Sequence, residues 1–261
     1  MINLLELFQW RWFSVWLRNF KVWQKNLMPA LLGNFGEPVL ILLALGYGLG
    51  YFVESMEGVP YLSFLASGIL CSGAMQTASF EAQYSAYTRM NVQHTWRGIL
   101  ATPLDIQDIV FGEIFWAATK SFIHVTAVLI VAVLLGAIDS VWSIVALPVL
   151  FLAGLTFASM AMVMTALAKN YDFFLYYQTL LLAPMMFLSG IFFPLSKMPE
   201  LIQSLVWLLP LIHVVELVRP LLLNQALPSI DYILWHLLVI AIYGLVFFTI
   251  AFMLLRRRLS Q

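Results

Sequence analysis

The chain has 261 residues, of which 62% are hydrophobic and 10% charged, and its formal net charge is zero; its mean hydropathy is +0.92. A soluble domain carries about 25% charge, so most of this length belongs in or on a bilayer, and the balanced charge gives no bulk field to draw nucleic acid. The single cysteine, Cys71, sits in an apolar run and supports neither a disulfide framework nor a thiolate metal site. No soluble stretch is long enough for a catalytic domain, and we expect no cleaved signal peptide.

Residues 3–25 predict a helix lying in the headgroup plane. At 100° per residue, Arg11, Arg18, Lys21 and Lys25 fall within an arc of about 80°, and Leu7, Phe8, Trp10, Trp12, Phe13, Trp16, Phe20 and Trp23 occupy the other faces. The competing reading is a seventh span, which four spaced cations oppose. Six stretches are apolar enough to cross ~30 Å of hydrocarbon: 31–53, 61–83, 113–136, 142–167, 173–193 and 232–255. The fold class expected is therefore all-α, polytopic, in a single membrane domain. Arg11, Arg18, Lys21 and Lys25, then Arg89 and Arg97, then Lys169, then Arg256–Arg258 all fall on one side of this arrangement. Because Lys and Arg favour the cytoplasmic side, both termini are expected there.

The first span ends in Leu45-Gly46-Tyr47-Gly48-Leu49-Gly50. No strand precedes it, so this is no dinucleotide fingerprint; Gly46 and Gly50 form a small-xxx-small pair that permits close helix approach. The second span, rich in Ser, Ala and Gly, either packs tightly or lines a polar path. The loop at 84–112 predicts a short amphipathic helix over 91–101, with Trp96, Ile99 and Leu100 beside Arg97, ended before Pro103. A soluble partner could grip such a helix in a groove; lipid could cover it instead. Asp105 and Asp108 open the approach to the third span. There, Lys120 either snorkels back to the interface or, with His124 a turn away, handles substrate or protons. Pro148 and Pro184 should kink the fourth and fifth spans. Residues 194–225 form two apolar pieces too short to cross, which predicts a helical hairpin dipping into the outer leaflet. Glu216 and Arg219 could pair there at i,i+3.

No phosphate loop, H-E-x-x-H or G-x-S-x-G is present, and the four histidines fall on different elements, which argues against a metal cluster.

Together these features resemble the membrane subunit of a type 2 ABC exporter, over essentially the whole chain. Within that family the chain resembles the nodulation-permease branch (NodJ). The supporting strings are Phe80-Glu81 with Arg89-Met90, Thr95-Trp96, Trp116-Ala117-Ala118-Thr119-Lys120, and Val163-Met164-Thr165-Ala166-Leu167-Ala168. Further ones are Tyr176-Tyr177-Gln178-Thr179-Leu180, Phe187-Leu188-Ser189-Gly190, Phe193-Pro194 and Arg219-Pro220.

The resemblance implies a homodimeric half-transporter of the bacterial inner membrane with two ATPase subunits similar to NodI bound below. This chain would hold no cofactor, with ATP and Mg on the partner. It implies ATPase coupling through Arg89, Met90, Thr95, Trp96, Arg97, Ile99, Leu100, Thr102 and Pro103. It also implies a dimer interface or translocation path at Gly46, Tyr47, Gly50, Tyr176, Tyr177 and Gln178, and an outer gate at Phe193, Pro194, Pro210, Glu216 and Arg219. The expected cargo is an amphiphile with a polar head: a lipid-linked saccharide, a lipo-oligosaccharide or a drug. Two other classes compete. An ion-gradient-driven transporter or channel would show internal repeats or mid-membrane carboxylates; an acyltransferase would need a clustered His and acid, for which His94 with Glu81 or Asp105 is the candidate.

Overall fold

The computed structural model describes residues 10–28, 36, 39–53 and 55–259. Most of these are helical. The expected interface helix is α1, Trp12–Gln24; its expected start, residues 3–9, lies outside the described residues, as do residues 31–35, 37 and 38 of the first span. What is described of that span ends in a π-helical turn, Leu42–Tyr47. A two-residue hairpin follows, β1 (Ser55–Met56) against β2 (Val59–Pro60). Glu57 and Gly58 at its tip take φ of 51° and 79°, the left-handed pair that a tight hairpin turn requires. This ladder is a small departure from the all-α expectation.

The second span is helix α2, Tyr61–Phe80. It does not stop at residue 83: π-helical turns at Glu81–Ser85 and Thr88–Val92 carry the helix onward. The predicted helix at 91–101 is the shorter α3, Thr95–Leu100. Between them His94 adopts φ 52°, an uncommon conformation for a non-glycine residue, and so turns the chain. The third span, α4, runs Ile106–Leu134 and starts seven residues earlier than hydropathy suggested. Asp105 and Asp108 form a capping box, with the Asp105 N–H donating to Asp108 Oδ2 at 2.9 Å. The cap, rather than the hydrocarbon boundary, sets the helix start.

Helix α5, Ser143–Leu167, continues through Pro148 without a break. The fifth span is α6 (Phe173–Tyr177), a π-helical turn (Gln178–Leu182) and α7 (Ala183–Leu188). Pro184 has no N–H to return to residue 180, and the widened turn sits at that gap. The helix stops at Leu188 rather than 193, because Gly190 takes φ 73°. Helices α8 (Glu200–Val206) and α9 (Pro210–Leu222) meet at a 90° corner instead of forming an antiparallel hairpin. Helix α10 spans Ile230–Leu259. By length and composition α4, α5 and α10 can each cross a membrane, the α8–α9 pair counts as a fourth candidate, and 173–188 is a shorter apolar helix.

Helices α2, α4 and α5 form the core, with α1 laid along α4, and α9 and α10 packed on α5. Small residues set the spacing. A Cβ on Gly112 would come within 2.8 Å of the Trp12 carbonyl oxygen, and one on Gly154 within 3.3 Å of the Ala118 backbone. At the far end of α10, Arg258 Nη1 donates to the carbonyls of Thr165 and Ala166 at 3.0 and 2.9 Å, capping the last turn of α5. Tyr87 donates to Lys169 O at 2.6 Å beside it. The α2 extension, the end of α5 and the arginine-rich end of α10 therefore share one pole, while the β hairpin and Asp139 lie at the other ends of α2 and of α4 and α5.

Candidate functional site

The α2 extension, α3, α4 and α1 converge on a buried charge cluster. Arg89, on the extension, donates Nε to Glu113 Oε1 at 3.0 Å and Nη2 to Glu113 Oε2 at 2.6 Å. The same Nη2 reaches Glu81 Oε1 at 3.0 Å. Glu81 Oε2 takes Lys120 Nζ at 2.8 Å and the Ser85 hydroxyl at 2.9 Å. Two tryptophans complete it: Trp96 Nε1 donates to Glu113 Oε1 at 3.0 Å and Trp116 Nε1 to Glu81 Oε1 at 2.9 Å. Asn19 of α1 adds its amide to Glu113 Oε2 at 3.1 Å. Two buried carboxylates would cost several kcal/mol each if unpaired; here every carboxylate oxygen has a cation or a polar N–H. Burial disfavours the charged Arg89, but the adjacent Glu113 and Glu81 reverse that and hold its pKa above the ordinary arginine value.

This cluster corrects three expectations. Trp96 is not an outward anchor: it is fully buried, bound to the third span. The exposed surface of α3 and the turn after it is Arg97, Gly98, Thr102 and Pro103, with Ile99 and Leu100 half-buried and Met90 buried. Lys120 is not a free snorkelling amine, because Glu81 holds its Nζ at 2.8 Å. The basic stripe of α1 is not all in the headgroups either: Arg11 Nε lies 3.4 Å from Asp108, Arg18 donates to Asn19 Oδ1 at 2.9 Å, and Trp16 Nε1 donates to Thr119 Oγ1 at 3.0 Å. Glu113, Trp116 and Lys120 at i, i+3 and i+7 occupy one face of α4, which is the sequence signal that could have revealed the cluster.

Beside Lys120 opens a cavity of about 650 Å³. Its walls include Ile41, Leu45, Ile69, Phe80, Met186 and Phe192, and its polar groups include Gln76, Glu81, Lys120 and His124. Gly73 makes the room: a Cβ there would stand 3.0 Å from His124 Nε2. Mostly apolar walls with a few convergent polar groups, at this volume, describe a ligand pocket. The second span thus both packs and lines a polar space.

The expected dimer-interface and path residues lie on two elements, the end of the first span and the fifth span. Gly46 is buried against Leu62 of its own chain; Tyr47 and Tyr176 are 54% and 64% exposed. Tyr177 turns inward, Gln178 Nε2 donates to Gln83 Oε1 at 3.1 Å, and Gly50 lies in the turn after the first span. At the opposite pole Glu216 and Arg219 do not pair. Arg219 is drawn between α9 and α2, donating to Ser67 Oγ at 3.0 Å and Gly190 O at 2.7 Å, 3.9 Å above the Phe64 ring, while Glu216 accepts from Tyr232 OH at 2.8 Å. Pro194 and Pro210 are buried and Phe193 is exposed.

Two histidines that are far apart in sequence meet: the Nδ1 atoms of His213 and His236 are 2.7 Å apart. Among the described residues no group of three or more His, Cys, Asp or Glu could hold a metal. His94 is exposed, whereas Glu81 is bound by Arg89 and Lys120 and Asp105 caps α4, so the acid–base pair of an acyltransferase is not assembled.

Comparison with known proteins points the same way. Residues 11–223 match the family described as ABC-2 type transporter. Nodulation protein J of Sinorhizobium fredii (strain NBRC 101917 / NGR234) is 44% identical over 250 residues, 96% of this chain and 94% of that one. The protein of the same name from Rhizobium meliloti (strain 1021) is 42% identical over the same shares. That of Bradyrhizobium diazoefficiens is 44% identical over 97% of this chain and 95% of its own.

Proposed function

Since the chain belongs to the ABC-2 type transporter family, and so is a multi-pass membrane transport component, we propose that it is the permease subunit of an ATP-driven exporter. It works as a homodimer in a bacterial inner membrane, six-spanned, both termini cytoplasmic, with the α8–α9 corner re-entering from outside. Two copies of a NodI-like ABC ATPase bind at the pole of α3 and supply the ATP and Mg that this chain does not hold. The cargo is an amphiphile with a saccharide-type head; the relatives named for nodulation favour a lipo-oligosaccharide.

One observation carries this reading: the cavity and the partner-facing helix are joined by a single buried chain of ionic and hydrogen bonds, from Lys120 through Glu81, Arg89 and Glu113 to Trp96. A push on α3 reaches Trp96, and from there this chain of bonds leads to the cavity wall. The exposed Arg97, Thr102 and Pro103 meet the ATPase; Trp96 and Arg89 transmit.

The test pairs ATPase co-purification with export in Lys120→Met. ATPase binding should persist while export falls about tenfold or more, the scale of losing one charge-assisted bond. Export that survives ATP depletion but collapses with the ion gradient would establish the competing secondary-transporter reading instead.

A further inference from the structure

A second cleft, of about 230 Å³, lies between α1 and the α2 extension, walled by Arg18, Asn19, Val22, Ser85, Thr88, Arg89 and Gln93. Two guanidiniums line it and no carboxylate does. Arg89 is compensated from behind by Glu81 and Glu113. Arg18 is not: its Nη1 meets the amide oxygen of Asn19 at 2.9 Å and its Nη2 the Thr95 hydroxyl at 3.4 Å, both neutral. Glu113 makes no direct hydrogen bond to Arg18; it accepts from the Asn19 amide nitrogen instead.

Among the described residues, three cations of the connected network, Arg18, Arg89 and Lys120, face two carboxylates, Glu81 and Glu113, leaving one positive charge at a half-buried guanidinium. Burial lowers the Arg18 pKa, against a smaller opposing pull from Glu113, and among the described residues no carboxylate bonds the Arg18 guanidinium directly. Gln93 Oε1 already takes the Thr95 hydroxyl at 3.4 Å, which leaves its amide N–H groups for a further acceptor.

We propose that this cleft binds one phosphate group, held by the Arg18 guanidinium with the Gln93 amide, as an anion shared between α1 and the α2 extension. A guanidinium fork matches phosphate oxygens bidentately. The anion completes the charge balance and ties α1 to the α2 extension. Val22, 50% exposed on the rim, offers an apolar edge suited to the acyl side of a phospholipid; free phosphate would present the same oxygens.

The full-length protein is reconstituted in bilayers of phosphatidylcholine with phosphatidylglycerol, and retained phosphatidylglycerol is counted by native mass spectrometry. Wild type should keep one more molecule per protomer than Arg18→Gln, with affinity weaker by about tenfold in the variant, as for one charge-assisted hydrogen bond; Arg18→Lys should recover part of it. Lys25→Gln, on the exposed side of α1, should change nothing. Equal retention in wild type and Arg18→Gln, or equal loss in Lys25→Gln, would overturn the site, the second because it marks diffuse surface attraction. Inorganic phosphate added as competitor separates the sources: displacement of the lipid assigns the site to soluble phosphate, and retention assigns it to the headgroup. Should Arg18→Gln fail to fold, wild type alone decides. Phosphatidylglycerol or inorganic phosphate must raise its unfolding temperature above chloride at equal ionic strength, and no rise from either refutes the proposal.

Discussion

Trp96 changes role between sequence and structure, and its chemistry explains the change. An amphipathic pattern places it on the apolar side of a short helix without saying whether lipid, a partner or the chain itself covers that side. An indole N–H seeks an acceptor when buried, and Glu113 supplies one. Trp96→Phe keeps the ring and removes only that bond, so it should cost ~1.5–3 kcal/mol of stability. Trp96→Ala also empties the site and should cost ~3–5 kcal/mol. Thermal unfolding in detergent ranks the two. If Trp96 faced a partner instead, both variants would unfold with wild type. For Glu113→Gln the expected loss is ~3–5 kcal/mol, because half of the Arg89 fork faces an amide inside the protein; an unfolding midpoint equal to wild type would mean the cluster is hydrated.

At the scale of elements, Gly46 and the first span show how a packing motif can be legible while its partner is not. A small-xxx-small pair says that something approaches closely. Here that is Leu62 on α2, so Gly46→Leu should overpack the chain's own interior by ~1–3 kcal/mol. In the proposed homodimer, Tyr47 and Tyr176, 54% and 64% exposed, are candidate faces for the second copy. In detergent, Gly46→Leu should therefore lower the unfolding temperature, whereas Tyr47→Ala together with Tyr176→Ala should reduce the dimer fraction and leave that temperature unchanged. A drop in dimer fraction for Gly46→Leu with no change in unfolding temperature would return the glycine to the dimer interface. The π-helical turns belong to this scale too. Two extend α2 toward α3 and one interrupts the fifth span at Pro184. Such turns recur at functional sites, and those in the α2 extension carry Glu81, Ser85 and Arg89.

For the whole molecule, the shared pole of Arg89, Lys169 and Arg256–Arg258 agrees with the charge asymmetry of the loops, and it predicts a labelling pattern. Cys71 is fully buried, so single cysteines introduced elsewhere can be read against a quiet background. Replacements at Glu57 and Asp139 should react with an impermeant maleimide from outside, and those at Gln93 and Lys169 only from inside. Outside labelling at Gln93 would invert the topology and remove the coupling role of α3.

The sequence by itself determined the membrane class, the long apolar helices and the basic pole. These depend on composition and on neighbours within one turn, and a local energy decides each. Only the tertiary structure decided that Glu81, Arg89, Glu113 and Lys120 form one cluster, that Arg219 turns from Glu216 to Ser67 and Gly190, and that His213 meets His236. A charge in an apolar chain must find a partner, since its desolvation is the largest local cost. Composition states that demand, but the partner is set by which helices lie side by side, and that packing is a property of the assembled fold.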